Sequence, residues 1–231
     1  MPQDWVNADI VPVPKKGDLT LCDNWRGIAL LDVVGKLVGK LIQTRLQSFA
    51  ESVLPEEQCG FRRNRSCTDM TFVVRQVTEK CLEHRTKAYL VFIDLRKAYD
   101  SVPREALWSV LRKLGVPDSL VQLLESFHSN MSAQVVVDGT GLEEIGVANC
   151  LRQGCTMAPV LFNLFACAVM ERWIERLDNH LGVGVHLLSL QDKRLFRHAT
   201  QRGEEVIVSN GQFAEDAVLI ASSHVGDEWM T

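Results

Sequence analysis

Six residues in a row, Ala88 to Ile93, form a nearly continuous β-favouring run that ends on a charge, Asp94. A run of this kind predicts a strand buried on both faces. The pattern returns more than a hundred residues later, where Phe213-Ala214 and Ala217-Val218-Leu219-Ile220 flank Glu215-Asp216. A carboxylate set against apolar strand needs a cation or several hydrogen-bond donors to stay ionised, and two adjacent acids repel each other. A divalent cation is their natural partner. Carboxylates brought together from separate strands, holding two ions about 4 Å apart, are what two-metal phosphoryl transfer requires. Spacing alone leaves open a hairpin turn with solvated acids.

The rest of the chain supplies a mixed frame. Ala8–Val13 reads as a strand and Lys15–Asp18 as a turn. From Asp32, Val34, Leu37, Val38, Leu41, Ile42 and Leu46 recur at helical spacing. A second helix is expected from Ser66, with Asp69 three residues on as a near capping box and Met70, Val73, Val74, Val77 and Cys81 on its apolar side. Another follows from about Pro103, stopped by Gly115 and Pro117, and Leu120–Phe127 gives one more. Gln134–Val137 and Glu144–Val147 flank Asp138-Gly139-Thr140-Gly141 as a hairpin, and Pro159 opens a helix bearing Leu161, Phe162, Phe165, Val169 and Trp173. Residues 180–210 read as short strands with loops, and Phe213–Ala221 as the last element. Without a βαβ rhythm the fold class is α+β.

Composition narrows the function. The 231 residues are 46% hydrophobic and 23% charged, enough for one large domain or two small ones. No apolar run approaches the ~18 residues of a spanning helix. Met1 to Trp5 lacks a basic, then apolar, leader, so the expected compartment is intracellular, nucleus or cytoplasm, not secreted. Seven cysteines lack any CxxC pair; Cys150 and Cys155 are closest and have no histidine nearby, which fits reduced, buried thiols better than zinc. The net charge is −4, unevenly spread: residues 1–115 carry eighteen Lys/Arg against fourteen Asp/Glu, the remainder seven against fifteen. A basic front and an acidic rear suit a chain that meets phosphate with its first half.

The words around the acids point further. Phe92-Ile93-Asp94-Leu95-Arg96-Lys97-Ala98-Tyr99-Asp100 resembles the first palm motif of reverse transcriptases. Leu151-Arg152-Gln153-Gly154-Cys155-Thr156-Met157-Ala158-Pro159 resembles their Gln-Gly motif, and Phe213-Ala214-Glu215-Asp216 their aromatic-x-Asp-Asp box. Asn24 to Leu31 and Glu57-Gln58-Cys59-Gly60-Phe61-Arg62 resemble the fingers motifs of the non-LTR (LINE-type) branch. Five motifs in the family's order span nearly the whole chain.

The resemblance implies a right-hand polymerase reduced to fingers (about 1–87) and palm (88–231, with some fingers insertion), an antiparallel palm sheet backed by helices, and no thumb. It implies an RNA-directed DNA polymerase that joins deoxynucleoside triphosphates to a DNA primer on an RNA template, with no membrane partner. Asp94, Glu215 and Asp216 would bind two Mg²⁺ (or Mn²⁺), with the Ile93 carbonyl nearby. Lys15, Lys16 and Arg26 would clamp the triphosphate, Tyr99 would exclude a ribose 2′-OH, and Gln153 and Gly154 would lie against the nucleotide. Phe61, Arg62, Arg63 and Arg65 would meet the template through one stacking ring and backbone charge. Tyr99 also speaks against an RNA-dependent RNA polymerase.

Two departures stand out. Glu215 occupies the first acid position of the box, one methylene (about 1.5 Å) further from the backbone than Asp. Only fifteen residues follow Asp216, too few for a primer-gripping hairpin and thumb. The rival expectation is therefore an inert retrotransposon remnant that at most binds nucleic acid.

Overall fold

The computed structural model describes residues 1–147, 151–181, 185–189, 204–208 and 210–222. In chain order the first elements are α1 (Gln3–Val6), β1 (Ala8–Pro14), β2 (Trp25–Leu31), α2 (Val33–Val53), α3 (Cys67–Glu83) and β3 (Ala88–Asp94). Then come α4 (Ala98–Ser101), α5 (Arg104–Leu114), α6 (Asp118–His128), β4 (Ser132–Val137), β5 (Thr140–Gly146) and α7 (Ala158–Leu181). The last strands are β6 (Val185–Ser189), β7 (Glu204–Val208), β8 (Asn210–Phe213) and β9 (Asp216–Ser222). The class is α+β with antiparallel strands, as expected. Two compact units alternate along the sequence: Met1–Leu54 with Arg96–Ala168, and Pro55–Leu95 with Val169–Thr231.

The first unit carries a four-stranded sheet in the order β2-β1-β4-β5. β1 runs antiparallel to β2 and parallel to β4; β4 and β5 form the expected hairpin. Its strands close further in than the sequence suggests, with Val137 opposite Thr140, so the turn is Asp138-Gly139 alone. Both turn residues have positive φ, 51° and 76°, which suits the right-handed twist of the flanking strands. α2 starts where Asp32 accepts the Val34 N–H at 2.8 Å, a cap worth about 1 kcal/mol. It buries Gly35, Gly39, Ile42, Leu46 and Ala50. Leu37 and Leu41, expected on the apolar face, stay 62% and 68% exposed, because the buried stripe runs through the small residues beside them. Leu46, Leu107, Leu111, Leu124, Leu151, Met157, Leu161 and Leu164 are the fully buried centre.

The second unit is built on a three-stranded antiparallel sheet in the order β3-β9-β8. α3 covers one face: Val77 and Cys81 bury Val218 and Ile220, flanked by Val73, Val74, Ala88 and Leu90. Its start is the expected capping box, in which the Asp69 carboxylate accepts the Ser66 N–H at 2.6 Å. Two expectations need correcting here. Ala88–Ile93 is not buried on both faces: among the described residues β3 is an edge strand, and Val91 and Phe92 are 56% and 74% exposed. Nor is Phe213–Ala221 one element. It is the end of β8, the turn Ala214-Glu215, and β9.

Within 180–210, β6 and β7 pair antiparallel, in keeping with short strands; much of the remainder, like Cys150, lies outside the described residues. Cys59, Cys81, Cys155 and Cys167 are buried thiols, while Cys22 and Cys67 are exposed. Among the described residues no helix is long and apolar enough to cross a membrane.

Candidate active site

The register of β3 on β9 sets the acids. Seven consecutive rungs run from Ala88–Ser222 to Asp94–Asp216, so the two aspartates face each other across the last one. Directly opposed residues share a face, with Cβ atoms about 4.5–5.5 Å apart. That face is the one whose rung Leu90–Ile220 meets α3. An apolar cavity of ≈ 400 Å³, lined by Met70, Val74, Phe92, Phe213 and Val218 among others, abuts Asp216.

Burial is not what these acids need offset. Asp94 and Asp216 are exposed and Glu215 half-buried. The tension is between like charges, which destabilise a cross-strand pair. Among the described residues no Lys, Arg or His forms an ion pair with any of the three, and no group of three or more His, Cys, Asp or Glu is gathered into a cage. Two opposed carboxylates with no Lys, Arg or His ion pair among the described residues fit Mg²⁺, which takes one or two carboxylates and fills its octahedron with water and substrate phosphate. Glu215 sits apart from the rung, on the two-residue turn between Phe213 and Asp216.

The residues expected to handle the nucleotide fall in the first unit. Lys15 and Lys16 follow β1, and Arg26 is exposed on β2 opposite Val13. The Lys15 ammonium donates to the Asp23 carbonyl at 3.1 Å, and Lys97 pairs with the Asp23 carboxylate at 2.8 Å. The Lys97 hydrogen bond and charge hold the Asp23 carboxyl below its usual range. Sequence reading passed over Asp23 and Lys97. Their one signal was the density of charge in these two loops.

Gln153 and Gly154 have an internal reason for their identity. The Gln153 carbonyl accepts the Ala29 N–H at 2.7 Å, docking the loop on β2. Gly154 has φ 109°, a backbone that glycine tolerates and L-residues rarely adopt. The Tyr99 ring is buried and stacked on Phe162, centroids 4.7 Å apart, and its carbonyl accepts the Leu151 N–H at 2.8 Å. Core packing is therefore part of what Tyr99 does. Asp100 lies in α4, in this first unit.

The basic cluster of the second unit divides. Arg62 donates to the carbonyls of Pro55 at 2.6 Å and Gln58 at 3.1 Å, and Arg65 pairs with Glu56. Those two guanidiniums tie down their own loop. Arg63 and Phe61 are exposed, Phe61 at φ 53°.

Comparison with known proteins bears on this arrangement. Residues 13–201 match the family model for reverse transcriptase (RNA-dependent DNA polymerase). The retrovirus-related Pol polyprotein of the type-2 retrotransposable element R2DM of Drosophila melanogaster is 26% identical over 219 residues, 95% of this chain and 18% of that protein. The RNA-directed DNA polymerase of the mobile element jockey, also of Drosophila melanogaster, is 28% identical over 168 residues, 71% of this chain and 18% of that one. Among solved structures, apo telomerase from Candida tropicalis superposes with a TM-score of 0.64 at 10% identity, covering 97% of this chain and 40% of the telomerase. The last likeness is one of fold. With most of its length inside the family model and relatives of this kind, the chain belongs to the reverse transcriptase family, in its non-LTR retrotransposon branch.

Proposed function

We propose that this reverse transcriptase domain extends a DNA primer along an RNA template, with Asp94, Glu215 and Asp216 as the ligands of two Mg²⁺ ions that Mn²⁺ can replace. The observation that carries the reading is the Asp94–Asp216 rung: two exposed acids brought opposite each other with no basic partner among the described residues. Such ions, when bound, supply activation of the primer 3′-oxygen and stabilisation of the departing pyrophosphate. The protein's share is to hold hard oxygen donors at the end of a paired strand, with the Ile93 carbonyl beside them. Fixed carboxylates on strands keep such a site within the narrow tolerance that catalysis needs.

In this reading residues 1–87 form fingers and 88–231 palm, with 55–87 folding against palm strands. Lys15, Lys16 and Arg26 meet the triphosphate of the incoming nucleotide; the planar guanidinium suits paired phosphate oxygens. The Tyr99 ring, fixed by Phe162, limits room at the sugar and so favours deoxynucleotides. Gln153 and Gly154, docked on β2, shape the same pocket. Phe61 and Arg63 face the template strand, and Arg62 and Arg65 hold the loop that presents them.

A second reading, an inert remnant that only binds nucleic acid, draws on Glu215. A catalytic group misplaced by about 1 Å can cost roughly 100-fold in rate. Primer extension on RNA and DNA templates, with Mg²⁺ and then Mn²⁺, tests both. The expected result is weak extension on RNA that Asp94→Asn abolishes and Glu215→Asp improves. Extension that survives Asp94→Asn would sink the two-carboxylate mechanism; binding without extension, even in Glu215→Asp, would favour the remnant.

A further inference from the structure

The turn that carries Glu215 is held in an unfavourable shape. Ala214 has φ 55°, where the Cβ of an L-residue crowds its own backbone. Such a conformation persists only when its surroundings over-determine it. Here they do. Gln58 is fully buried, at 0% exposure. Its side-chain oxygen accepts two backbone N–H groups, that of Gly60 at 2.7 Å and that of Ala214 at 3.1 Å. Its amide nitrogen donates to the Gln212 side chain at 3.4 Å, and Gln212 in turn donates to Asn210 at 3.1 Å.

The backbone supports the same contact. The Gln212 N–H donates to the Glu57 carbonyl, and the Cys59 N–H donates back to Gln212, each at 2.8 Å. Residues 57–59 thus lie alongside β8 as a short parallel bridge. Gly60 completes the approach: a Cβ there would stand 2.2 Å from the Ala214 nitrogen. The residue immediately before Glu215 is therefore gripped by a buried amide and cannot drift without leaving N–H groups unsatisfied.

We infer that Gln58 is a positioning residue for the acidic turn, setting Ala214 so that Glu215 and Asp216 are presented beside Asp94. The inference rests on the metal-binding reading proposed above. Gln58 does not touch the metal or the substrate; it acts through the Ala214 backbone. An amide suits the task because a carboxylate in its place would bury a negative charge beside two more, and a hydrocarbon would abandon both N–H groups.

The test measures metal rather than turnover. Mn²⁺ is titrated into the full chain, free ion being read from its electron paramagnetic resonance signal, for the wild type, Asp94→Asn, Gln58→Leu and Gln58→Leu/Ala214→Gly. Far-UV circular dichroism and melting accompany each. Gln58→Leu should weaken Mn²⁺ binding by roughly tenfold or more, in the range for residues that orient metal ligands. Adding Ala214→Gly should recover much of that affinity, because glycine takes φ 55° unaided. A role in stability alone would lower the melting temperature without any rescue by glycine.

Gln58→Leu that binds Mn²⁺ as tightly as the wild type, while Asp94→Asn does not, overturns the inference and leaves the metal site standing. Binding unaffected by Asp94→Asn overturns both. If Gln58→Leu does not fold, amide exchange in the wild type decides. The Ala214 N–H should be strongly protected, and exchange at the rate of an unstructured peptide overturns the proposal.

Discussion

Gly154 lies so close to Ala29 that a Cβ added to it would stand 2.3 Å from the Ala29 carbonyl oxygen. With the Gln153–Ala29 hydrogen bond, this fixes the loop before α7 to the strand that carries Arg26. Gly154→Ala would add a steric overlap, about 1–3 kcal/mol, to the cost of a positive φ, about 1–2 kcal/mol. The expected outcome is a loss of about 3 kcal/mol in chemical unfolding. A variant as stable as the wild type would mean that the loop lifts off β2 at little cost.

The Asp94–Asp216 rung makes a claim about the metal-free chain. Like charges directly opposed on neighbouring strands cost about 0.2–1 kcal/mol. Asp94→Asn should therefore raise the melting temperature slightly in chelator, more at low salt than at high, because both groups are exposed. Added Mg²⁺ should stabilise the wild type and not the variant. Calorimetry in chelator and in Mg²⁺ reads both effects. Equal shifts on adding Mg²⁺ would place the ion elsewhere.

His128 makes the first unit sensitive to acid. Its ring is buried against Trp108, centroids 5.4 Å apart, with Nδ1 2.8 Å from the Leu124 carbonyl. Burial, helped by the charges of Arg104 and Arg152, pushes its pKa from 6.5 down to about 4. The unfolded chain thus takes up this proton first as pH falls. The stabilisation from a neutral His128 is complete above about pH 6.5 and lost as pH drops through about 4, at most about 3 kcal/mol. His128→Gln should show a shallower loss of stability over that window, measured by urea unfolding with tryptophan fluorescence. Matching slopes in the two proteins would assign the acid sensitivity to other groups.

Arg62 and Arg63 are neighbours with separable roles. Arg62→Ala removes a guanidinium bonded to the Pro55 and Gln58 carbonyls and should destabilise the second unit by about 1–3 kcal/mol. Arg63→Ala should leave stability alone, weaken RNA binding, and lower the salt slope of log K by about one. Fluorescence anisotropy with single-stranded RNA at several salt concentrations makes the comparison. An unchanged slope in Arg63→Ala would show that its charge meets only solvent.

Which features the sequence disclosed follows from how local their causes are. The Ser66–Asp69 box and the β4–β5 hairpin depend on residues a few positions apart, and both are visible in the letters, although the turn is two residues shorter than the letters suggest. The acids at 94, 215 and 216 stood out because charge at the end of an apolar run is rare. Whether Ala88–Ile93 is central or at the edge depends on a strand more than a hundred residues away, so the run by itself suggested the wrong burial. Gln58 was harder still. It stands in the motif Glu57 to Arg62, but the letters give it no role of its own, and only the return of β8 turns it into a buried clamp. Leu37 and Leu41 misled in the opposite direction, since hydrophobicity cannot show that glycines occupy the contact face.

The order β3-β9-β8 also dictates when this protein can become itself during synthesis. β9 is the last of these strands to leave the ribosome and the one in the middle, so β3 must wait for it with Ala88 and Leu90 not yet packed against Val218 and Ile220. Contacts of such sequence separation form late, and apolar edges left waiting invite association with other chains. Asp216, the first residue of β9, arrives with the strand that closes the sheet. Closing this sheet and assembling the acidic pair are one event, and a nascent chain that stops short of β9 has neither.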